Sequence, residues 1–342
     1  MPIGPSSPSR PRRVLIIGGG AAGTAAAVEL SRRGIGCLVV ESKGRLGGLS
    51  DNLSCKSTSR CERCDVCQPR DLARELLQHP TARVSLSSSI NGARKTPGGW
   101  EVEIAGPGGT TVEEFGSVII AVGPRVYDPT EDPRLRYGEI PDVLTSLEAD
   151  RMVRSGRLAV PSTGERPRSL AIVQCIGSRD RRHGAPYCSK ACCKYAYKLA
   201  RHLKHADPEL GITFFHLDWR PLDDPLSALH RWEGEGGRVI RARPSEIEDQ
   251  DGRPAVRYAT PDDEAAEESF DMVILTVGML PPSGERLARM FGVDLDEHGF
   301  FPAERDNVLA VGYCAGPKDI LESIREGIAA AGRAASMLGG RS

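Results

Sequence analysis

A glycine-rich loop between a buried strand and a helix constrains the fold of this chain more than any other feature. Residues 13–18 form an apolar run typical of a parallel strand, and residues 18–23 follow the pattern G-x-G-x-x-G ahead of an alanine-rich helix. A second apolar strand at 37–41 ends in Glu41, 18 residues beyond the last glycine of the loop. Strand, loop, helix and terminal acid in this order predict a dinucleotide-binding unit.

Each of these positions has a physical role. Gly18 allows the tight turn, Gly20 lets the backbone approach a pyrophosphate, and Gly23 lets the helix pack on the strand. The helix N-terminus supplies unpaired N–H groups and a partial positive charge for the phosphates. Glu41 is suited to accept hydrogen bonds from ribose hydroxyls, so we expect a dinucleotide cofactor here.

The second half of the chain repeats this plan. The first unit continues with a hairpin at 100–114 and a closing strand at 118–123. The corresponding elements of the second unit are predicted at 170–174 (strand), about 189–203 (helix), 212–217 (strand), around 251–252 (hairpin) and 272–278 (strand). The loop and closing glycines lie 105 positions apart in the first unit and 101 in the second, which indicates an internal repeat.

Cysteines replace the glycine loop in the second unit. The residues at 175–180 include a single glycine, so a pyrophosphate cannot lie against this backbone and we expect no nicotinamide site. Asp218, at the ribose-acid position, is interpreted as a remnant at the protein surface. Four cysteines with the spacing C-x12-C-x3-C-C predict a [4Fe–4S] cluster instead, and they are Cys175, Cys188, Cys192 and Cys193.

The proposed ligand geometry places Cys188 and Cys192 at i and i+4 on one face of a helix start. The helix N-terminus, with Lys190 and Lys194 nearby, would offset the charge of the thiolates. A closed zinc site and four reduced, buried thiols are the alternatives. The adjacent pair Cys192 and Cys193 suits a cuboidal cluster better than a zinc tetrahedron.

A second cysteine group follows Gly47 and Gly48, with the spacing C-x5-C-x2-C-x2-C; its members are Cys55, Cys61, Cys64 and Cys67. Three interpretations remain open: a second cluster, a zinc knot, or thiols that exchange with a partner near the dinucleotide cofactor of the first unit. Cys37 lies in a strand pattern and is predicted to be a small core hydrophobe.

Composition excludes several classes of function. The 342 residues are 39% hydrophobic with a net charge of -1, which favours an ordinary globular protein over a nucleic-acid or membrane-surface binder. No apolar run approaches the roughly 18 residues needed to cross a bilayer. Residues 1–12 are rich in Pro, Ser and Arg and are predicted to be a disordered tail. The clustering of eight of the ten cysteines favours metal or redox chemistry, and we expect a cytoplasmic protein.

The doubled plan resembles the flavoprotein disulfide reductases with two dinucleotide domains, of which thioredoxin reductase is nearest in size. The resemblance implies an α/β fold with two Rossmann-like domains, FAD in the first, and a C-terminal segment that returns to the first domain with a strand at 307–312 and a helix from 320 to about 337. The expected domains are 13–125 with 285–342 for FAD, and 130–282 for a degenerate NAD-like domain that carries the cluster.

The same resemblance implies a set of FAD-binding residues, which are Gly18, Gly20, Ala22, Gly23, Glu41, Ser42, Gly48, Ala121, Gly123, Gly312, Lys318 and Ile320. Residues 317–320 would open the last helix with N–H groups aimed at the flavin pyrimidine edge, where Lys318 adds positive charge. Tyr313 and Cys314 follow Gly312 where thioredoxin reductase has an acid.

Three segments carry a narrower resemblance, to the A-type component of heterodisulfide reductase; they lie at 173–180, 187–193 and 316–320. In that family the pattern C-x12-C-x3-C-C holds a [4Fe–4S] cluster beside the FAD. The chain is shorter than the methanogenic members and resembles the short form found in sulfur-oxidising bacteria.

The resemblance implies an FAD and [4Fe–4S] electron-transfer subunit that works with heterodisulfide reductase B- and C-like subunits in cytoplasmic sulfur oxidation, as a homodimer. The residues suggest no catalytic acid or base. The alternatives are an NAD(P)H-dependent disulfide reductase, a zinc-stabilised scaffold without activity, and the quinone-linked electron-transfer subunit of sulfate reducers.

Overall fold

A computed structural model of the protein describes residues 11–220 and 224–339, so the predicted tail at 1–12 lies almost wholly outside the described residues. Contacts divide the chain into two compact units. The first comprises the chain up to Asn52, Asp65–Arg125 and the chain from Pro281 onward, and the second comprises Leu53–Cys64 and Val126–Leu280. Within the described ranges, no helix is long and apolar enough to cross a membrane.

The strands and helices follow one another along the chain in two halves. Those of the first half are β1 (Arg13–Ile17), α1 (Ala21–Arg32), β2 (Gly36–Val40), α2 (Gln68–Leu76), β3 (Ala82–Ser85), β4 (Ser89–Thr96), β5 (Gly99–Gly106), β6 (Gly109–Phe115), β7 (Ser117–Ile120), β8 (Arg125–Val126), β9 (Val143–Thr145) and α3 (Ser146–Arg154). Those of the second half are β10 (Ser169–Ile176), α4 (Cys192–Ala206), β11 (Gly211–Phe215), α5 (Pro225–Gly234), β12 (Arg238–Ile240), β13 (Glu246–Gln250), β14 (Arg253–Ala259), β15 (Ala265–Ser269), β16 (Met272–Val277), β17 (Met279–Leu280), α6 (Glu285–Phe291), β18 (Glu304–Arg305), β19 (Val308–Ala310) and α7 (Ile320–Gly339).

The first unit is built on a six-stranded sheet in the order β18-β19-β7-β1-β2-β3. Strand β1 pairs in parallel with β2 and β7, and the returning strand β19 pairs in parallel with β7. Val14 and Ile16 pack in one apolar core, while Leu15 and Ile17 pack in another on the opposite face. A strand buried on both faces needs a continuous apolar run, which is the pattern that the sequence shows.

Helices α1 and α7 pack very closely in the first unit. A Cβ atom built on Gly327 of α7 would lie 2.2 Å from the carbonyl oxygen of Ala22 in α1. The alanine-rich sequence of α1 and the glycine in α7 allow this approach, because neither places a bulky side chain at the contact. The returning C-terminal segment is thereby fixed against the nucleotide-binding helix.

The second unit repeats the parallel sheet, in the order β12-β11-β10-β16-β9. Its two faces are covered by separate apolar cores, one centred on the aromatic side chains of Tyr197, Phe214 and Trp232. A three-stranded antiparallel sheet, β13-β14-β15, carries the predicted hairpin turn at Asp251 and Gly252, both of which have positive φ.

Strand β10 contains a bulge at the position where the two units differ. Its register against β16 shifts between Val173 and Ile176. Cys175 lies within this interval and has a φ of 61°, in the left-handed region that non-glycine residues rarely adopt. A bulge inserts an extra residue and redirects the strand, so Cys175 is set apart from the regular pleat.

The sheets, the hairpins and the closing helix are confirmed, but the predicted start of helix α4 was wrong. Helix α4 begins at Cys192 and not near residue 189. Lys190 has a φ of 68°, which interrupts a right-handed helix, and the hydroxyl of Ser189 accepts a hydrogen bond from the N–H of Met279 at 3.1 Å. Cys188 therefore lies in the loop before the helix, and its expected i, i+4 relation to Cys192 within a helix is not present.

The segment Leu53–Cys64 belongs to the second unit although it was expected in the first domain. A buried ion pair fixes it: Lys56 Nζ lies 2.7 Å from Asp150 Oδ1, with side chains 1% and 0% exposed. The same carboxylate accepts a hydrogen bond from the Ser54 N–H at 3.1 Å. Further along, Glu62 pairs with Lys198 at 3.5 Å and with Arg201, both on α4.

We predict that Asp150→Ala destabilises the protein by about 3–5 kcal/mol, because it leaves the Lys56 ammonium buried without its carboxylate. Asp71→Ala is the control, since Asp71 forms an exposed pair with Arg74 at 3.7 Å and is expected to cost under about 1 kcal/mol. Urea unfolding of the full chain measures both. Equal midpoints for the two variants would contradict the role of the buried pair.

Candidate functional site

The loop at 18–23 can be built only with glycine at two of its positions. Gly18 has a φ of +104°, and a Cβ there would lie 2.4 Å from the carbonyl oxygen of Ala121. A Cβ on Gly23 would lie 1.9 Å from the carbonyl oxygen of Gly18. These contacts show the tight turn and the close helix–strand packing that the sequence predicts for the loop.

Gly20 differs, because the space around it is open. A Cβ on Gly20 would meet only the Cα of Gly48, at 3.8 Å. Gly20 is also the N-cap of α1, where no side chain caps the helix and no acid lies in the first turn. The result is a cradle between Gly20 and Gly48 at a helix N-terminus, a geometry suited to bind an anionic phosphate group.

Glu41 lies where the ribose acid was predicted, at the carboxyl end of β2. It is 6% exposed, and its carboxylate accepts hydrogen bonds from the N–H groups of Gly19 at 2.7 Å and Lys43 at 2.8 Å. The hydroxyl of Ser42 lies 3.3 Å from the same carboxylate. These bonds fix the orientation of the acid beside the loop.

The carboxyl ends of β7 and β19 complete the first site. Ala121 packs over Gly18 and Gly23, and Gly123 has a φ of +71°. Cys314 is fully buried and lies 3.1 Å from the carbonyl oxygen of Val311; burial raises the pKa of this thiol to about 11. Cys314 is therefore a neutral thiol in the core.

One residue of this region was not predicted. Glu326 on α7 accepts a hydrogen bond from the Gly312 N–H at 3.0 Å and pairs with Lys318 Nζ at 2.6 Å. Lys318 is thus held by a carboxylate, with its side chain 10% exposed. A capping pair between Asp319 and Glu322 opens α7 at Ile320, where the sequence placed the helix start.

The second candidate site is the cysteine loop of the second unit. Cys175, Cys192 and Cys193 are buried, and Cys188 is partly exposed. The Cys193 thiol donates a hydrogen bond to Gln174 Oε1 at 2.9 Å, and the N–H of Lys190 donates to Cys188 Sγ at 3.3 Å. All four predicted ligands therefore belong to one local structure at the carboxyl end of β10.

Electrostatics link these thiols to one another and to nearby cations. Burial, followed by the Cys192 sulfur, raises the pKa of Cys175 to about 12, and the Arg179 guanidinium opposes the increase. Cys188 also interacts with Cys175 and with Arg179. The pKa of Cys192 is raised as well, so Cys175 and Cys192 are favoured as neutral thiols unless a metal cation replaces their protons.

Two buried polar groups beside the cysteines have no hydrogen-bond partner, namely Gln174 Nε2 and the Ser178 hydroxyl. Buried donors normally find an acceptor. Among the described residues, no group of three or more Cys, His, Asp or Glu side chains already has metal-site geometry.

Asp218 is not available as a ribose acid. Its carboxylate pairs with Arg179 at 2.7 Å and with Arg220 at 3.3 Å. Arg179 belongs to the cysteine loop. The loop that replaces the glycine loop therefore also binds the Asp218 carboxylate. Hydrogen bonding and charge from Arg179 lower the pKa of Asp218, which remains ionised.

The other cysteine group is divided between the two units. Cys55, Cys61 and Cys64 belong to the second unit, with Cys55 and Cys61 exposed and Cys64 partly exposed. Cys67 is the N-cap of α2 in the first unit. Cys37 is 1% exposed in the core, as predicted.

Comparison with known proteins agrees with the nucleotide-binding loop. Residues 13–106 match the family model of FAD dependent oxidoreductases. The structure is similar to the thioredoxin reductase of T. acidophilum, with a TM-score of 0.64 and 18% sequence identity over 95% of this chain and 99% of that one. The predicted fold, thioredoxin-reductase-like with a Rossmann-type first unit, is confirmed.

Curated relatives are components of one enzyme family. The chain is 35% identical over 247 residues to an A-type iron–sulfur component of the CoB–CoM heterodisulfide reductase of Methanopyrus kandleri, covering 66% of this chain and 38% of the relative. It is 36% identical over 242 residues to the A-type component of the H2:CoB-CoM heterodisulfide,ferredoxin reductase of Methanothermobacter thermautotrophicus, covering 65% and 37%. The chain thus spans less than two fifths of these relatives, and the predicted relationship to their family is confirmed.

We predict that Gly20→Ala and Gly23→Ala separate flavin binding from folding. Alanine at Gly20 meets no steric conflict in the protein but fills the phosphate cradle, so the affinity for FAD should fall roughly 5- to 150-fold, from about 1–3 kcal/mol of overpacking, with an unchanged melting temperature. Gly23→Ala should lower both the affinity for FAD and the melting temperature. Flavin absorbance after desalting and thermal melts measure the two quantities, and full flavin retention by Gly20→Ala would contradict the cradle.

Proposed function

We propose that this chain, a homologue of the A-type component of heterodisulfide reductase, is an electron-transfer flavoprotein subunit that holds FAD in its first unit and a [4Fe–4S] cluster in its second. The observation that supports it most is the cysteine loop at the carboxyl end of β10, which stands where a pyridine-nucleotide loop would lie. When bound, FAD exchanges one or two electrons and a cluster exchanges one, so together they connect two-electron chemistry to single-electron flow.

The residues of the first unit fit FAD. The open cradle between Gly20 and Gly48 would hold the pyrophosphate, and Glu41 would accept hydrogen bonds from the adenosine ribose. We assign the remaining predicted contacts to the same FAD site: Ala22, Ser42, Ala121, Gly123, Gly312, Lys318 and Ile320. Lys318, held by Glu326, would place positive charge near the reduced flavin.

The residues of the second unit fit an iron–sulfur cluster. Thiolates of Cys175, Cys188, Cys192 and Cys193 would supply the four ligands that such clusters require. The unpaired donors Gln174 Nε2 and Ser178 Oγ are available to bond the sulfur atoms. Arg179 would counter the negative charge of the thiolates.

The second unit is not expected to bind a nicotinamide cofactor. The bulge at Cys175 replaces the tight glycine turn, and Asp218 is paired with Arg179. The family resemblance supports the rest of the proposal, namely a homodimer that works with B- and C-like subunits in cytoplasmic sulfur oxidation. The ten cysteines, all free in the structure, agree with a reducing compartment.

Metal and flavin analysis of the anaerobically purified chain tests the proposal. We expect one FAD and about four irons with matching sulfide per chain. About eight irons would assign a second cluster to the group at Cys55–Cys67. Colourless protein with zinc, or flavin bleaching on addition of NADPH alone without iron, would refute the cluster.

We also predict that Cys188→Ser lowers the iron content to below about one per chain while FAD is retained, because a four-thiolate cluster loses a ligand. Cys188 is partly exposed, so this change places little strain on the fold. Cys37→Ala is the matched control and should keep its iron, since Cys37 is a core residue of the first unit. Iron analysis and the visible spectrum measure the result, and an unchanged iron content in Cys188→Ser would contradict this ligand assignment.

A further inference from the structure

The Lys318 side chain forms a bidentate ion pair with Glu326 near the start of α7. Lys318 Nζ lies 2.6 Å from each carboxylate oxygen, and the same carboxylate accepts a hydrogen bond from the Gly312 N–H at 3.0 Å. The Lys318 side chain is 10% exposed, so its charge is screened by solvent less than that of a surface lysine. Glu326 therefore fixes the position of the ammonium and neutralises it there.

This ion pair lies at the edge of the sheet where the first unit would hold its cofactor. Gly312 follows the carboxyl end of β19, and ligands of open α/β sheets bind outside the carboxyl ends of the strands. A Cβ on Gly312 would lie 2.8 Å from the Cβ of Ala22, in the first turn of α1. The N-cap of that helix is Gly20, which lines the phosphate cradle. The pair of Lys318 and Glu326 is thus joined through Gly312 to the helix that forms the cradle.

The other titratable groups at this helix start have different roles. The Glu322 carboxylate accepts a hydrogen bond from the Asp319 N–H, and the Asp319 carboxylate accepts one from the Glu322 N–H, both at 2.9 Å. Cys314 interacts electrostatically with Lys318, but burial raises the pKa of this thiol to about 11, so it is uncharged at neutral pH. Glu326 is thus the acid that compensates the ammonium directly.

We infer that Glu326 is a positioning residue of the flavin site, which acts through Lys318 to set the reduction potential of bound FAD. The inference rests on the proposed function, because it requires FAD in the first unit. Reduction adds negative charge to a flavin, and a nearby cation stabilises that charge. An ammonium that a carboxylate already neutralises stabilises it less, so Glu326 holds the potential below the value that Lys318 alone would give.

Redox titration of the full chain with its FAD, followed by visible absorbance, tests this role. Glu326→Gln keeps an oxygen that can accept from the Gly312 N–H but removes the negative charge. The affinity for reduced relative to oxidised FAD should then rise at least about tenfold, which raises the two-electron midpoint potential by about 30 mV or more. Lys318→Met should change the same ratio at least about tenfold in the opposite direction, because it leaves the carboxylate without its cation.

Glu304→Gln is the matched control, since Glu304 pairs with Arg333 of the same helix at 2.7 Å. Arg333 lies 13 positions after Ile320, which is roughly 20 Å along the helix axis. Charges at that distance are largely screened at about 0.1 M salt, so the ratio of the two affinities should change less than about twofold. Thermal melts and flavin content verify that all three variants fold and bind FAD.

The signs of the two shifts distinguish this role from a purely structural one. Either variant would break a structural brace, so the potential would then move in the same direction in Glu326→Gln and in Lys318→Met. That result, or equal shifts in Glu326→Gln and Glu304→Gln, overturns the inference alone. Absence of FAD from the unmodified protein overturns the proposed function of the first unit, and the role of Glu326 with it.

Discussion

The left-handed backbone at Cys175 determines how the second unit differs from the first. In a dinucleotide fold the first strand ends in a glycine turn that lets phosphate oxygens reach main-chain N–H groups. Here the strand bulges between Val173 and Ile176 and delivers a cysteine at that point. The loop beyond is held by Arg179, which bonds Asp218, and by Ser189, which bonds Met279. Because the same backbone cannot satisfy both geometries, the thiol site and a nucleotide site exclude each other.

The two units show how one sheet plan serves two sites. In the first unit, a Cβ on Gly18 or Gly23 would lie 2.4 or 1.9 Å from a backbone carbonyl oxygen, so no larger residue fits at either position. The space beyond Gly20 stays open. In the second unit, the side chains of the cysteine loop fill the equivalent region, and Gln174 Nε2 and the Ser178 hydroxyl are buried there without a hydrogen-bond partner. The parallel sheet fixes where each loop begins, and the loop determines the chemistry.

Much of this arrangement could be predicted from local sequence. Runs such as residues 14–17 and 272–275 are apolar at every position, which is typical of a parallel strand covered on both faces. The start of α4 could not be predicted, because it depends on two features outside the local pattern. One is the positive φ of Lys190, and the other is the hydrogen bond between Ser189 and Met279, which are 90 positions apart in sequence. The role of Glu326 could not be predicted for a similar reason. An acid within a helical pattern does not indicate that its carboxylate will accept hydrogen bonds from the Gly312 N–H and from Lys318.

The buried pair of Lys56 and Asp150 has a consequence for how the chain can be divided. Its lysine comes from a stretch of twelve residues that interrupts the sequence of the first unit, and its carboxylate is 94 positions further on. Excision of the second unit as one continuous piece, from Val126 to Leu280, would leave behind the lysine that neutralises Asp150. The two units are therefore interleaved in sequence. A recombination event that exchanged either unit as a single block would break this buried ion pair.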